Sequence, residues 1–263
     1  MKYALVTGAY GGMGIKTARL LASEGYTVFA LDKRVGDAED GIIPVEVDLC
    51  LEEDILRAFE FVKERAADLS AVIHFAGIYM LDSLVEMKTE DFERIYRINA
   101  FAPFLVNKIF MPLLKEDSRI IITTSELAPL DPLPFTGIYA ITKAALDKYA
   151  YSLKMELQLL GIKVSVLRAG AVGTGMLKVS ADALDRFCEN TGLYSCNAER
   201  FKKIVDKVEA RQIPPERIGK KVLKILKKRR PAFSYAINRN PLLILLNFMP
   251  KRFQLWVIKK VLK

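Results

Sequence analysis

The sequence predicts an α/β fold, built as a doubly wound parallel sheet with helices on both faces, in a single domain that covers residues 1–263. Three observations predict it. Short apolar runs alternate with amphipathic helical stretches along most of the chain, which is typical of parallel sheets. A glycine-rich turn follows the first run, and no internal repeat or linker divides the chain. The length also allows one such domain to bury a substantial core.

The first unit of the chain predicts a dinucleotide site. It comprises a strand over 3–7, the glycine turn 8–14, a helix over 15–24, a strand over 26–31 and then Asp32. Glycines let the backbone approach a pyrophosphate, which the free N–H groups at a helix N-terminus attract. Asp32 stands where a carboxylate accepts hydrogen bonds from the adenosine ribose. An aspartate there repels a 2′-phosphate, so NAD is favoured over NADP, although Lys33 and Arg34 offer charge for a phosphate.

The alternation continues beyond Asp32. Further strands are predicted over 42–47, 71–75, 119–124, 162–167 and 233–237. Helices are predicted over 52–66, 90–114, 140–160, from 214 onward and over 251–263. Pro103 lies inside the second of these helices and is expected to kink or break it. In such sheets the ligand lies at the carboxyl ends of the strands, so we expect the functional site there.

Tyr139 and Lys143 are one helical turn apart, so a helix would place both on the same face. A phenol titrates near ~10 and is by itself a poor proton donor or acceptor at neutral pH. A lysine ammonium beside it favours the phenolate and lowers the phenol's pKa. Ser125, fourteen residues upstream of Tyr139, would hold a substrate oxygen next to the phenol. These residue types suit proton transfer at an alcohol or ketone oxygen, although Tyr-x-x-x-Lys alone also fits an ordinary amphipathic helix.

Charge and cysteine content indicate the setting. Residues 214–263 hold 14 lysines and arginines against one acid, whereas residues 1–213 hold 26 against 30. Cys50, Cys188 and Cys196 are odd in number and lack metal-ligand spacing, which fits a reducing compartment. The amino terminus runs directly into the first predicted strand, so no signal peptide is expected. No apolar run approaches the ~20 residues that span a bilayer. We therefore expect a cytoplasmic protein with no metal site.

The motifs together resemble the classical branch of the short-chain dehydrogenase/reductase family, over nearly the whole chain. The matching residues are Thr7-Gly8-x-x-x-Gly12-x-Gly14, Asp32, Asp48-Leu49, Ala76-Gly77, Asn99, Ser125, Tyr139-x-x-x-Lys143 and Gly170-Ala171-Val172-Gly173-Thr174. Gly8, Gly11 and Gly14 also fit the glycine turn of the longer, epimerase-like relatives. The short chain and the context from Ser125 to Lys143 favour the classical branch. The resemblance implies a Rossmann-type fold and a nicotinamide cofactor.

The resemblance also implies a role for each matched residue. Tyr139 would be the general acid/base, and Lys143 would lower its pKa and bind the nicotinamide ribose. Ser125 would orient the substrate oxygen, and Asn99 would hold the water of a proton relay. The cofactor-binding residues would be Gly8, Tyr10, Gly12, Met13, Gly14, Asp32, Asp48, Leu49, Ala76, Gly77, Tyr139, Lys143, Val172 and Thr174. Among these, Asp48 and Leu49 would contact adenine, and Gly77 would let the chain pass close to the adenosine ribose. Val172 and Thr174 would anchor the cofactor.

Two positions depart from the family's pattern. The family's Asn-Asn-Ala-Gly is His74-Phe75-Ala76-Gly77 here, and its Pro-Gly after the sixth strand is Ala169-Gly170. Both positions mainly support the structure, so neither departure removes a catalytic group. His74, the only histidine, is expected at a strand end near the adenosine half of the cofactor and outside the catalytic machinery.

Residues 173–214 correspond to a mobile lid over the substrate in the family. Their apolar members are Met176, Leu177, Leu184, Phe187, Leu193, Tyr194 and Phe201. A lid of this composition suits a hydrophobic molecule, and the alternative is that these residues only pack on the core.

The carboxyl-terminal tail, residues 241–263, has the composition of an interfacial amphipathic helix. Its last part combines Phe253, Leu255 and Trp256 with five lysines or arginines. The tail is similar to those of steroid- and retinol-dehydrogenase-like members. It predicts either peripheral contact with an anionic membrane or a helix that packs on the lid or in a dimer. Nucleic-acid binding is not expected, because no aromatic platform or known motif accompanies the charge.

The leading hypothesis is an NAD(H)-dependent oxidoreductase that acts on a hydrophobic secondary alcohol or ketone such as a steroid. By resemblance, we expect a homo-oligomer, a dimer or a tetramer. One alternative is a 3-oxoacyl thioester reductase that uses NADPH, which Asp32 disfavours. Another is a non-catalytic NAD-binding regulator, which the presence of Asn99, Ser125, Tyr139 and Lys143 disfavours.

Overall fold

One seven-stranded parallel sheet forms the centre of the molecule. The computed structural model describes residues 1–209 and 211–263, without the side chains of 177, 178 and 207–209. The strands are β1 (Lys2–Thr7), β2 (Tyr26–Asp32), β3 (Ile42–Glu46), β4 (Leu69–His74), β5 (Leu114–Ser125), β6 (Lys163–Ala169) and β7 (Ser234–Ile237). They lie in the order β3-β2-β1-β4-β5-β6-β7, and each neighbouring pair is parallel. The predicted doubly wound parallel sheet is confirmed.

Helices connect the strands and cover both faces of the sheet. They are α1 (Gly12–Ser23), α2 (Glu52–Lys63), α3 (Thr89–Tyr96), α4 (Ala102–Phe110), α5 (Gly137–Leu157), α6 (Gly175–Asn190), α7 (Ser195–Glu209), α8 (Glu216–Leu226), α9 (Pro241–Phe248) and α10 (Lys251–Leu262). Short 3₁₀ turns follow α4 and α5, at Met111–Leu113 and Gln158–Leu160. The last predicted strand is present as β7 at the edge of the sheet, and the predicted helix over the end of the tail is present as α10.

The predicted helix over 90–114 is divided into three parts. A π-helical turn, Arg97–Phe101, separates α3 from α4, and Asn99 lies inside it. Pro103 stands in the first turn of α4, where a missing N–H is tolerated. The break therefore precedes the proline. Such π turns are rare and frequently occur at functional sites, which draws attention to Asn99.

The strands alternate between two apolar cores. Ile120 and Ile122 belong to the core under α2, α4 and α5, whereas Ile121 belongs to the core under α1 and α8. Successive side chains of a strand point to opposite faces, so a run of isoleucines serves both cores at once. The two cores hold the strand ends in a fixed arrangement.

The crevice for a ligand lies between β1 and β4. From β1 the chain winds outward through β2 and β3, and it then crosses back to place β4 on the other side of β1. The strand order reverses at this point, and ligands of open α/β sheets bind there, beyond the carboxyl ends of the strands. The backbone N–H of Phe75 donates to the carbonyl of Thr7 at 3.0 Å, which holds the two strand ends together.

The lid helices α6 and α7 form a small apolar cluster of their own around Phe135. The Phe135 ring contacts the rings of Phe187, Tyr194 and Phe201, with centroids 4.6–5.4 Å apart. Phe135 has a φ of +63°, a left-handed conformation that costs on the order of 1–3 kcal/mol in a bulky residue. The side chain of Leu177, predicted to belong to the lid's apolar set, lies outside the described residues. Leu262 of α10 completes the cluster, so the tail packs on the lid.

Candidate active site

Tyr139 and Ser125 meet at the carboxyl end of β5. Ser125 is the last residue of β5, and Tyr139 lies in the first turn of α5 with 9% of its surface exposed. The Ser125 hydroxyl lies close enough to the phenol to lower the pKa of Tyr139, and both residues line a cavity of about 200 Å³. The backbone N–H of Leu127 donates to the Ser125 Oγ at 3.2 Å and fixes the serine. A substrate oxygen in this cavity would therefore meet both hydroxyl groups.

Lys143 lies on the side of Tyr139 that faces the second, larger cleft. Its Nζ is 5.7 Å from the centroid of the Tyr139 ring. A Cβ on Gly77 would come within 3.1 Å of this Nζ and within 3.1 Å of the Asn99 Oδ1. A larger residue than glycine would crowd both polar groups at this position. Gly77 itself lines the larger cleft. The lysine is thus placed between the phenol and the cleft.

Asn99 is buried and uses its amide to hold the chain after β4. Its Oδ1 accepts from the backbone N–H of Ile78 at 2.8 Å, and its Nδ2 donates to the carbonyl of Ile78 at 2.9 Å. The Nδ2 also lies 3.1 Å from the hydroxyl of Thr142 on α5. The π turn places this asparagine where it joins the loop after β4 to the helix that carries Tyr139 and Lys143. The proton relay through a water at Asn99 stays a prediction.

Burial changes the pKa values of the two titratable groups in opposite directions. It raises the pKa of Tyr139 to about 12, against the lowering effect of the Ser125 hydrogen bond. It lowers the pKa of Lys143 to about 8. The sequence-based expectation was that Lys143 lowers the pKa of the phenol. In this structure burial raises the pKa of the phenol, and the opposing contribution comes from Ser125.

A buried ion pair fixes α5 against the sheet. Arg168 near the end of β6 donates from Nε and Nη2 to the two carboxylate oxygens of Asp147 at 2.9 and 2.7 Å. Asp147 lies one turn beyond Lys143 and also accepts from the Thr124 hydroxyl at 3.3 Å. Such two-point pairs are geometrically specific. The position of α5, which carries Tyr139 and Lys143, is therefore set by β5 and β6.

The larger cleft has the shape of a nucleotide site. It has a volume of about 640 Å³ and is bordered by the glycine turn between β1 and α1. Gly8 has a φ of +65°, and a Cβ there would lie 2.5 Å from the backbone nitrogen of Ala76. The turn thus passes directly over the end of β4 and leaves its surface open. Together with the start of α1, this gives the cradle that a pyrophosphate requires.

Asp32 is held rigidly at the end of β2. Its Oδ2 accepts from the backbone N–H of Tyr10 at 2.9 Å, and its Oδ1 accepts from that of Lys33 at 2.8 Å. The Lys33 ammonium instead pairs with Asp48 at 2.7 Å. That contact, with a further N–H from Cys50, lowers the pKa of Asp48. Asp32, Lys33 and Asp48 all line the larger cleft, and the Lys33 charge is paired there with Asp48.

The structure gathers most of the predicted cofactor-binding residues around the larger cleft. Those that line it are Gly8, Tyr10, Gly12, Met13, Gly14, Asp32, Asp48, Leu49, Ala76, Gly77 and Thr174. Tyr139 and Val172 line the smaller cavity instead, and Lys143 reaches the cleft only through its contact with Gly77. The residues fit a dinucleotide. When bound, such a cofactor would supply the hydride, while this chain orients it through Asp32 and the glycine turn.

The smaller cavity lies beside the cleft and is largely apolar. Met13, Tyr79, Thr174 and Met176 line both spaces, which therefore adjoin. Leu127, Leu133, Phe201, Ile204 and Leu243 supply much of the remaining apolar lining. The lid and the start of the tail thus contribute to the cavity that Ser125 and Tyr139 also line.

His74 does not face the adenosine half of the cleft. It is buried at the end of β4, and its Nε2 lies 2.9 Å from the Oδ1 of Asn107 on α4. Burial lowers its pKa to about 4, so the ring is neutral at pH 7. The predicted strand end is correct, but the predicted neighbourhood is wrong, because the side chain points under the sheet toward α4. It braces a helix, much as an amide would.

Sequence reasoning missed several residues at both sites. Arg94 and Ile98 line the larger cleft, and Glu126 and Thr136 line the smaller cavity. The signals were present in part, since Ile98 directly precedes Asn99 and Glu126 directly follows Ser125. Arg94 is one turn before Ile98 and shares its helical face. Among the described residues, no group of three or more His, Cys, Asp or Glu side chains is arranged to hold a metal ion.

Comparisons with known proteins agree with this geometry. The family profile described as short chain dehydrogenase matches residues 2–185. Mouse estradiol 17-beta-dehydrogenase 2 is 31% identical over 210 residues, which are 72% of this chain and 55% of the mouse protein. The chain therefore spans about half the length of that relative. A 3-ketodihydrosphingosine reductase of Bacteroides thetaiotaomicron is 24% identical over 233 residues, with 87% of this chain and 85% of that protein covered.

A solved structure shares the fold at low sequence identity. A short chain dehydrogenase from Burkholderia cenocepacia in complex with NADP superposes with a TM-score of 0.74 at 22% identity, and the match covers 100% of both chains. The matched region of the family profile contains the glycine turn, Asn99, Ser125, Tyr139 and Lys143. The chain therefore belongs to the short-chain dehydrogenase family, a family of nicotinamide-dependent oxidoreductases.

Proposed function

We propose that the chain transfers hydride between a nicotinamide cofactor and the reacting carbon of a hydrophobic secondary alcohol or ketone, with Tyr139 as general acid/base. One observation carries the proposal. Tyr139 and Ser125 line the smaller cavity, whereas the Lys143 Nζ lies 3.1 Å from where a Cβ on Gly77 would stand, at the border of the larger cleft. The proton-transfer groups thus stand where a substrate in one space meets a cofactor in the other. A regulator that only binds a nucleotide would not need them.

Each polar group then has a distinct part in the reaction. In reduction, the Tyr139 hydroxyl would donate its proton to the substrate oxygen, and Ser125 would hold that oxygen by a hydrogen bond. Lys143 would favour the phenolate that remains and would bind the ribose beside it. Asn99 would keep the loop at Ile78 in place and hold the water of the relay. Val172 and Thr174 would hold the nicotinamide end of the cofactor.

The cofactor we propose is NAD(H) and not NADP(H). Asp32 lines the cleft, where its carboxylate would face the adenosine ribose, and a 2′-phosphate there would meet its negative charge. Lys33 would be the nearest source of compensation, but it is paired with Asp48 at 2.7 Å. Arg34 is the remaining cation at the end of this strand, and it has no ion pair among the described side chains. The Burkholderia structure contains NADP, so this preference is a property to be measured for this chain.

For the substrate, we propose a lipophilic alcohol or ketone of the hydroxysteroid type. The apolar lining by Leu127, Leu133, Phe201 and Leu243 supports it, because it favours burial of hydrocarbon over a small polar metabolite. The resemblance to an estradiol dehydrogenase points in the same direction. A 3-oxoacyl thioester would need an entry for a long polar carrier arm, and the apolar lining of the cavity does not favour such an arm.

The exposed surfaces support two kinds of partner. Phe101 and Phe104 after Asn99, and Tyr151 and Met155 on α5, are large apolar residues that remain exposed. We propose that this face pairs two copies of the chain. The tail exposes a second apolar surface with cationic neighbours, which we propose rests on a membrane. No helix among the described residues is both long and apolar enough to cross a bilayer.

The proposal is tested by titrating the purified protein with NADH and NADPH in parallel and following cofactor fluorescence. Turnover is then measured on hydroxysteroids, retinoids and short β-keto esters. We expect NADH to bind more tightly and a lipophilic ketone or alcohol to turn over. NADPH preference with β-keto ester turnover would favour the thioester reductase. Tight NADH binding without turnover of any substrate would favour the regulator.

A further inference from the structure

Glu126 places a carboxyl group in the otherwise largely apolar substrate cavity. It directly follows Ser125 at the end of β5, lines the same cavity and is 8% exposed. Carboxylates are seldom buried to this degree without a partner of opposite charge. Its presence beside the proposed reacting centre therefore requires an explanation that an all-hydrocarbon substrate does not give.

The protein satisfies this carboxylate only in part. The backbone N–H of Asn240 donates to Oε2 at 2.5 Å, and no lysine or arginine among the described residues forms an ion pair with it. Arg239 acts on it only at longer range, and no hydrogen bond within the described part of the chain reaches Oε1. Burial raises the pKa of Glu126, with the Asn240 amide acting in the opposite direction. Among the described side chains, Glu126 thus lacks a counter-charge.

A glycine lets the backbone after β7 approach the carboxylate closely. A Cβ on Gly170 would lie 3.0 Å from the Oε1 of Glu126 and 1.9 Å from the carbonyl oxygen of Asn238. Gly170 also lines the cavity. Gly170 and Glu126 therefore form neighbouring parts of the cavity wall.

We propose that Glu126 binds a protonated amine that the substrate carries within a few bonds of its reacting carbon. The inference rests on the proposed function and narrows its substrate class to amphiphilic amino ketones or amino alcohols. Ser125 and Glu126 line the same cavity of about 200 Å³, so a substrate oxygen at Ser125 and an ammonium at Glu126 would share one small space. An ammonium supplies both the missing charge and the donors, and the apolar lining receives the rest of the molecule.

A simpler role for Glu126 is to anchor the tail, since Asn240 precedes α9. Glu126→Gln separates the two roles, because the glutamine keeps an acceptor for the Asn240 N–H but carries no charge. Asn247→Ala is the matched control. It removes the hydrogen bond from the Asp131 N–H to the Asn247 Oδ1, 2.8 Å long, and so loosens the tail without changing the charge of the cavity.

The experiment compares three long-chain ketones with the NADH-bound protein: a 2-amino-3-ketone, its N-acetyl derivative and the ketone without the amine. We expect the free amine to have a KM at least tenfold below those of the two neutral compounds. Glu126→Gln should reduce this ratio to about one, and Asn247→Ala should keep it. For the amine alone, KM should rise as the pH falls and the carboxylate takes up a proton.

Binding is measured in addition to turnover, as the shift in melting temperature of the NADH complex with each ketone. Absence of turnover for every ketone would contradict the proposed function. Equal KM values and equal melting shifts for the amine and the neutral compounds would contradict the role of Glu126. A preference for the amine that survives in Glu126→Gln would likewise overturn it. A 2-hydroxy ketone is tested as a fourth compound, and a KM as low as that of the amine would also overturn it.

Discussion

Lys143 Nζ lies 5.7 Å from the centroid of the Tyr139 ring, and both side chains are buried. Burial favours the neutral form of each, so the phenol keeps its proton and the ammonium gives up its proton more easily. Tyr139 is therefore a neutral proton donor at pH 7. Ionisation of the phenol depends on what else enters the site.

Tyr139→Phe should therefore abolish proton transfer and leave the cofactor cleft intact. We expect kcat/KM to fall by about 10²–10⁴, the usual contribution of a general acid/base. NADH affinity should stay within a few-fold of the parent. Tyr149→Phe is the matched control. It also removes a tyrosine hydroxyl from α5, but that hydroxyl contacts Asn107 and not Ser125. A Tyr139→Phe variant with full turnover would contradict the mechanism.

Lys143→Met should make the folded protein more stable at neutral pH. The folded pKa of about 8 is below the ordinary value of 10.5. The folded state therefore holds fewer protons than the unfolded state between pH 8 and 10.5, and the free energy of unfolding rises with pH in that window. Below pH 8 the buried charge costs its full amount, up to about 3 kcal/mol for this shift.

Urea unfolding at pH 7 and pH 9.5 measures this effect. Lys143→Met should exceed the parent in stability at pH 7, by a margin that shrinks at pH 9.5, while losing most of its activity. Lys148→Met, an exposed position on the same helix, is the control and should show no such pH-dependent gain. If the parent and Lys143→Met were equally stable at both pH values, burial of the lysine ammonium would not destabilise the folded state, and the lowered pKa of Lys143 would be contradicted.

Asp32→Asn should shift the cofactor preference. The variant keeps the shape of the side chain but loses the charge that opposes a 2′-phosphate. A hydrogen bond to a charged group contributes about 1.5–3 kcal/mol, so NADH affinity should fall by about tenfold or more. NADPH affinity should rise, because the Arg34 charge would then act on the phosphate without the opposing carboxylate of Asp32.

Parallel fluorescence titrations of both cofactors check this prediction. Asp37→Asn, an exposed position in the loop after β2, is the control and should bind both cofactors as the parent does. If Asp32→Asn bound NADH as tightly as the parent, the carboxylate would not contact the ribose.

Local sequence patterns predicted the strands and the crevice because each signal is short-range. The glycine turn, the strand before it and Asp32 lie within one unit, and the sheet register follows from buried isoleucines. The π turn at Asn99 was not predictable, because it depends on how Ile78 and Thr142 meet the asparagine from distant parts of the chain. A long helix with a proline was the simplest prediction from pattern alone.

The same limit applies to the charged and titratable groups. The spacing of Tyr139 and Lys143 predicts their proximity but not their enclosure, and enclosure reverses the expected pKa of the phenol. His74 illustrates the limit as well. Its position at a strand end was predictable, but the face it points to depends on Asn107, a residue 33 positions away. Pairings between distant residues decide such details.

The tail has two faces with different partners. On one, Leu262 and Ile258 pack on the lid, and the Asn197 side chain donates to the Leu262 carbonyl at 2.6 Å. On the other, Phe248, Leu255 and Trp256 are 84%, 68% and 55% exposed. Lysines flank these residues. The packing prediction is therefore confirmed for one face, and the other face keeps the composition of a membrane-contacting surface.

Trp256 is the only tryptophan and reports directly on that second face. With vesicles that contain anionic lipid, its emission should shift to the blue, and the shift should weaken as salt is added. Replacing Lys259 and Lys260 by glutamine should weaken binding by about 10-fold or more, since each lysine near the surface contributes about 1 kcal/mol. The control replaces Lys63 and Lys148, exposed lysines on α2 and α5, and should bind as the parent does. A shift of equal size with neutral vesicles would mean that the apolar side chains act without the charge. No shift with either vesicle would contradict membrane contact and leave the exposed apolar face to a protein partner.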